Sequence, residues 1–335
     1  MPQPPGVAVA MDWGGTWVRV AVIDRGGEIL WQSRVANAPG GDKDRLLRDA
    51  QEVLARAISW CDLRPVVGVA VAVAGPVDAE TGTLYDPPNL PALNGVSLKA
   101  LWEPALGHRV WVGNDANLAA LGEYRYGAGR EARRRGEPPE TLVYLTVSTG
   151  IGGGVVSGGQ VFLGAHGLAA EIGHMVIDRR ADAPQCQCGN RGCLEALASG
   201  TAIAKIARAA VADARSLILT LASGEAQSVT SETVFRAASQ GDALAQSIVE
   251  GVVQALSVGL TNVLHLYNPD LVVLGGGVTL GLDGLGLLPR IHSLMVQSAM
   301  SQRHTDFRLV ASQLGDAAGM LGAATMVWQG VGVSP

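Results

Sequence analysis

The sequence predicts an α/β protein organised as a duplicated unit, on three observations. A β-type run, a glycine turn and a second β-type run occupy 7–23, and the same order returns at 142–163. After each pair, helically spaced stretches alternate with short apolar runs that end in glycine or at a Gly-Pro step, the pattern of helices laid on sheets. The chain has 335 residues, enough for about two domains with a sizeable core.

Composition narrows the class. Hydrophobic residues make up 48% and charged residues 16%, which excludes a disordered chain. A formal charge of -5 argues against general nucleic-acid binding. Met1–Gly6 lacks a basic region and an apolar signal core, so a cytoplasmic location with reduced cysteines is expected. Residues 251–269 hold no Asp, Glu, Lys or Arg, yet Gln254, Ser257, Thr261, Asn262, His265 and Asn268 interrupt them. A buried interdomain helix is expected there, with no membrane span.

In order, Val7–Ala10 is a strand, Asp12-Trp13-Gly14-Gly15-Thr16 a turn and Trp17–Ile23 a second strand. Bare amides at Gly14 and Gly15 can approach an anion, Thr16 adds a hydroxyl, and Asp12 can hold a hydrated Mg²⁺. Leu46–Trp60 has helical spacing, and Val66–Ala74 is a buried strand stopped by Gly75-Pro76. Residues 83–93 form a Pro-rich loop with Asn89. Arg109–Val112 is a strand that delivers Asn114 and Asp115 ahead of a helix at 118–126. A carboxylate there suits catalysis, although from the residues alone the N-cap of that helix is the better reading of Asp115. Residues 130–140 are charged and end in Pro138-Pro139, as expected of a solvated loop.

The second hairpin follows. Leu142–Val147 is a strand, Thr149-Gly150-Ile151-Gly152-Gly153-Gly154 the glycine turn, and Val155-Val156 and 160–163 return. Two such tips could hold two ends of a polyphosphate. Helices are expected at 202–214, late in 222–239, and at 242–267, where Asn268-Pro269 ends the last. Leu271–Leu274 is a strand opening into Gly275-Gly276-Gly277, which permits close contact with a flat base or ribose. A helix at 289–300, a strand at 307–311 and a closing helix through Leu321 and Trp328 complete the chain.

One stretch carries the most specific chemistry. His174, Cys186, Cys188 and Cys193 offer one imidazole and three thiolates, a closed tetrahedral set for structural Zn²⁺. Reduced thiols without metal, or one disulfide with a thiol left over, are the plainer alternatives. Glu171 and Glu195 flank the stretch, so a metal that fixes this loop would also aim two carboxylates at a polyol. Cys61 stands apart as a core thiol.

These motifs resemble the ROK family of sugar kinases, in the actin-like, ribonuclease-H-like ATPase superfamily. Asp12-x-Gly-Gly-Thr16 is similar to the family's first phosphate motif and Thr149-Gly150-x-Gly152-Gly153 to its second. Gly275-Gly276-Gly277 resembles the nucleotide-base motif, and Glu171-Ile172-Gly173-His174 with the three cysteines and Glu195 resembles the zinc and sugar signature. Ala170 stands where members often have glycine, and Trp13 and Trp17 depart from the smaller or basic residues common beside the first phosphate loop.

The resemblance implies two ribonuclease-H-like domains around a central cleft, with a structural zinc loop at 174–193. Residues 1–117 with the closing helix at 313–330 would form the smaller domain and 118–312 the larger. It implies ATP-dependent phosphorylation of a hexose on its primary hydroxyl, with Asp115 as catalytic base and Asn89, Asn114, Glu171, His174 and Glu195 on the sugar. ATP, Mg²⁺ and Zn²⁺ are the implied cofactors, and a homo-oligomer, dimer or tetramer, the implied assembly. Glucose is the first expectation for the sugar; N-acetylmannosamine, N-acetylglucosamine and fructose are alternatives. A different class, a sugar-responsive transcriptional regulator, would carry an N-terminal helix-turn-helix, for which a first strand near Val7 leaves no room. A noncatalytic sugar-binding module would leave both glycine hairpins unexplained.

Overall fold

A computed structural model describes residues 6–37, 41–211 and 216–331. Met1–Pro5, and residues 212–214 of the expected helix at 202–214, lie outside them. The chain runs through β1 (Val7–Trp13), β2 (Trp17–Ile23), β3 (Ile29–Ala36), α1 (Lys43–Trp60), β4 (Val66–Val73), β5 (Val77–Asp78), β6 (Thr83–Leu84), α2 (Leu98–Leu106) and β7 (Val110–Asn114). Next come α3 (Asp115–Arg125), α4 (Ala128–Arg134), β8 (Thr141–Val147), β9 (Ile151–Ser157), β10 (Gln160–Val161), α5 (Leu194–Ala198), α6 (Gly200–Ala210), α7 (Leu217–Leu221) and α8 (Ser231–Ser239). It closes with α9 (Ala243–Tyr267), β11 (Leu271–Gly275), α10 (Gly277–Gly284), α11 (Leu288–Ser298), β12 (Arg308–Ala311) and α12 (Ala318–Gly330).

The duplication suggested by the hairpins is present in the sheets. One five-stranded sheet has the order β3-β2-β1-β4-β7, the other β10-β9-β8-β11-β12. Each places its strands third, second, first, fourth, fifth in chain order. In the first, β1, β2 and β3 pair antiparallel while β1, β4 and β7 are parallel. In the second, β9 and β10 are antiparallel and β8, β11 and β12 parallel.

The described chain forms two compact units. One holds residues 1–138, 154–169 and 316–335; the other holds 139–153 and 170–315. The expected division at 117/118 therefore falls inside α3, and α3 packs with α12 in the first unit. The core of that unit is the strand residues Val9, Met11, Val20, Val22, Val69 and Val71 against Leu46, Ala50, Val53, Leu54 and Ala57 of α1. Those α1 positions recur at helical spacing, and Leu47 and Ile58 pack partly buried beside them, so the apolar stripe read from the sequence is the buried face. Cys61 is buried in the same core, its thiol donating to the Ala57 carbonyl at 3.2 Å.

Three expectations change. Residues 128–134 are helical, because Glu131 pairs with Arg135 at 2.9 Å one turn on, and Arg133 donates to the carbonyls of Tyr124 and Arg125 at the end of α3. Asp115 does not cap α3. Asn114 does, its Oδ1 accepting from the Asn117 amide at 3.0 Å, which leaves Asp115 in the first helical position. The apolar helix α9 is long and apolar enough to cross a membrane by length and composition. The division of the chain assigns it wholly to the second unit, where α5, α6, α8 and α11 pack on it. Asp242 caps its start and Asn268, at φ 43°, ends it.

Candidate active site

The first glycine turn is held by register. Pairing of β1 with β2 sets Asp12 opposite Arg19, and Arg19 Nη1 donates to Asp12 Oδ2 at 3.0 Å. Burial nevertheless raises the Asp12 carboxyl above its ordinary value; Arg19 opposes this and does not win. Asn37, which carries no motif, pins the turn from outside: its amide donates to the Thr16 carbonyl and its Nδ2 to the Gly14 carbonyl, both at 2.8 Å. The Asn89 side chain lies over Gly15, where an added β-carbon would approach it to 3.0 Å. Thr16 is exposed at the tip.

The two unusual tryptophans have plain structural causes. Trp13 is fully buried and stacks on Trp102 with ring centroids 5.6 Å apart. Trp17 lies under the Arg34 guanidinium at 4.8 Å.

At the end of β7 the chain passes directly into α3, which fixes Asn114 and Asp115 on a rigid junction. Asn114 Nδ2 donates to the Gly75 carbonyl at 3.2 Å, and Asp115 Oδ1 accepts the Ala116 amide at 2.8 Å. Asn114 is thus occupied by its own backbone surroundings on both ends of its amide, while the contact to Ala116 orients the Asp115 carboxylate.

In the second unit, Thr149 of the second glycine turn and Gly277 at the start of α10 line one pocket of about 280 Å³. Thr201, Arg208, Thr230 and Ser231 line it too. They come from α6 and from the start of α8, well apart in the chain from each other and from both motifs, so no local sequence signal could have gathered them. Arg208 donates to the Val229 carbonyl at 2.9 Å, which fixes the approach to Thr230 and Ser231. The three glycines of 275–277 divide their duties. A β-carbon at Gly275 would strike the Tyr144 hydroxyl, and one at Gly276, where φ is 88°, the Val147 carbonyl. Gly277 has open space and is the one that lines the pocket. Gly152 and Gly153 lie within β9, and Gly153 admits the Ala170 carbonyl.

His174, Cys186, Cys188 and Cys193 converge as the sequence suggested, with all four ligand atoms within 4.8 Å of one another. His174 Nδ1 is 3.7 Å from Cys186 Sγ, and Cys188 Sγ is 3.6 Å from Cys193 Sγ. A tetrahedral Zn²⁺ with ordinary bond lengths would require edges of about 3.6–3.8 Å, so the donor set fits that ion. The Asn190 amide draws the Cys188 thiol down to about 7, and burial pushes Cys193 up to about 12. A short ribbon supports the set: Ile177 donates to the Gly192 carbonyl and Leu194 to that of Met175, both at 2.9 Å.

Both flanking glutamates belong to this unit. Glu171 is exposed by area, yet desolvation raises its carboxyl, with Glu195 adding to the rise and His174 opposing it. Glu195 is engaged in a way the sequence did not suggest, because its Oε2 accepts the Ile151 amide of the second glycine turn at 2.8 Å.

Comparisons with known proteins identify the family. The ROK family pattern matches residues 8–330. A glucokinase from Thermotoga maritima is 34% identical over 97% of this chain and 98% of its own length. The crystal structure of a ROK family glucokinase from Streptomyces griseus in complex with glucose and AMPPNP superposes with a TM-score of 0.77 at 30% identity, covering 97% of this chain and 100% of that one. A xylose repressor from Caldicellulosiruptor bescii is 26% identical over 96% of this chain and 78% of its own length. With nearly every described element inside the matched span, the chain belongs to the ROK family.

Proposed function

We propose that the protein is an ATP-dependent hexose kinase acting on the sugar's primary hydroxyl, with glucose as the preferred substrate. The observation that carries it is the pocket of about 280 Å³ shared by Thr149 and Gly277, which brings the second phosphate motif and the base motif to one space. Full-length similarity to a glucokinase, and to a structure holding glucose and AMPPNP, supports the choice of sugar and donor.

In this reading Asp115 accepts the proton of the attacking hydroxyl while its oxygen bonds to the γ-phosphorus and ADP departs. Positioning and charge neutralisation supply most of the acceleration in such a transfer. The amides of Gly14 and Gly15 and the Thr16 hydroxyl bind phosphate oxygens, and Thr149 and Gly150 of the second turn do so with Gly152 and Gly153 at the start of β9. Gly277, with Gly275 and Gly276 shaping the backbone behind it, accommodates the base or ribose. Glu171, His174 and Glu195, with Asn114 and Asn89, orient the sugar hydroxyls. His174 turns Nδ1 toward Cys186, which leaves Nε2 for a sugar oxygen.

Mg²⁺, when bound with ATP, would neutralise phosphate charge. Arg19 already occupies Asp12 Oδ2, so that carboxylate suits a water-mediated contact better than direct ligation. Zn²⁺ would hold the loop at 174–193 in shape. A reducing, cytoplasmic setting is part of the proposal, since metal binding needs all three thiols reduced. So is a homo-oligomer, which light scattering checks.

The test is turnover on a panel of glucose, N-acetylmannosamine, N-acetylglucosamine and fructose with ATP, read as ADP release. Glucose should lead. Asp115→Asn should retain glucose binding and lose about 10²- to 10⁴-fold in kcat. Near-normal turnover in that variant contradicts the assignment. Absence of ADP release with every sugar, together with a gel shift on operator DNA, favours a regulator.

A further inference from the structure

The segment that follows Cys193 and the turn that carries the second phosphate motif are joined by three hydrogen bonds. Glu195, two residues past Cys193, accepts the Ile151 amide on Oε2 at 2.8 Å. At the start of α6, the Gly200 amide donates to the Ser148 carbonyl at 2.7 Å and the Thr201 amide to the Thr149 carbonyl at 3.3 Å. The turn Ser148–Ile151 is therefore clamped from one side by the segment that follows Cys193. Of the three contacts, only the one from Glu195 is made by a side chain. Gly150 belongs to the same arrangement, because a β-carbon there would lie 2.6 Å from Glu195 Oε2.

We propose that Glu195 is a positioning residue for the nucleotide: its carboxylate holds the turn Ser148–Ile151 in the shape that receives the triphosphate, and Gly150 is glycine so that this carboxylate can reach the Ile151 amide. The role is separate from any contact Glu195 makes to sugar. Physically, a turn already fixed by a charge-assisted bond gives up less freedom when ligand binds, and that freedom is a direct cost to affinity. The inference rests on the nucleotide reading above.

AMPPNP titrated calorimetrically with Mg²⁺ and without sugar tests it, since a residue that only touches sugar leaves this affinity unchanged. Glu195→Ala should weaken AMPPNP about tenfold. Glu195→Gln keeps an acceptor oxygen for Ile151 and should stay within about threefold of the wild type. Gly150→Ala should weaken binding in the wild-type background and add nothing to Glu195→Ala, a non-additivity expected only if the two groups compete for one space. Zinc content and melting temperature should match the wild type in both Glu195 variants. Wild-type affinity in Glu195→Ala, an equal loss in Glu195→Gln, additive penalties, or loss of metal in Glu195→Ala each overturn the proposal. A wild type that binds no AMPPNP overturns the nucleotide reading as well, so the two failures are distinguishable.

Discussion

Ala170 sits at φ 66°, the left-handed region that an L side chain enters at a cost of about 1–2 kcal/mol. Its position in the sequence marked it as a departure from family habit; the backbone angle explains why glycine is common there. Ala170→Gly relieves that strain but adds unfolded-chain freedom, so a net gain of about 0.5–1 kcal/mol is expected. Urea unfolding checks it, and a loss of stability would contradict the strain. Asp12 offers a second residue-level test through pH. Burial raises its carboxyl above the ordinary 3.8. Its contribution to stability is complete below that value and is lost as pH rises through the raised one. Asp12→Asn should therefore gain on the wild type in melting temperature between pH 4 and pH 7. A difference that is flat or shrinks over that range speaks against burial as the dominant cause. Residue types at these sites were legible in the sequence, but their partners were not: Asn37, Arg19 and Asn89 meet the first turn only because strands and loops return there.

At the scale of elements, the loop with His174 and the three cysteines depends on ligand geometry, having little core of its own. Metal analysis of protein purified without chelator should give about one zinc per chain, and Cys193→Ser should lose it. If the metal contributes a few kcal/mol, the melting temperature should fall by about 5 °C or more. An unchanged melting curve in metal-free protein rejects a structural ion. The packing of α3 on α12 rests on backbone approach. A β-carbon at Gly322 would overlap the Leu118 carbonyl, and one at Gly122 the Ala318 carbonyl. Gly322→Leu should cost about 3 kcal/mol by overpacking, measured by chemical unfolding. A cost under about 1 kcal/mol would show that the helices can separate freely. The sequence showed α12 as an apolar helix but gave no hint of this contact, since glycine in a helix reads only as a weak helix former.

For the whole molecule, the repeated strand order explains how one chain supplies two glycine turns. The turn between β1 and β2 and the turn between β8 and β9 stand at the same place in each sheet. Period, glycine placement and ligand spacing are local properties, so the sequence by itself determined the α/β class, the duplication, the two hairpins and the Cys3His group that could hold a metal. Only the tertiary structure decided which groups share a space. It brought Thr201, Arg208, Thr230 and Ser231 to the pocket of Thr149 and Gly277, gave the N-cap of α3 to Asn114 instead of Asp115, and tied Glu195 to Ile151. Those meetings depend on backbone direction across residues far apart in the chain, and a linear pattern holds no information about that direction until the sheets and helices have packed.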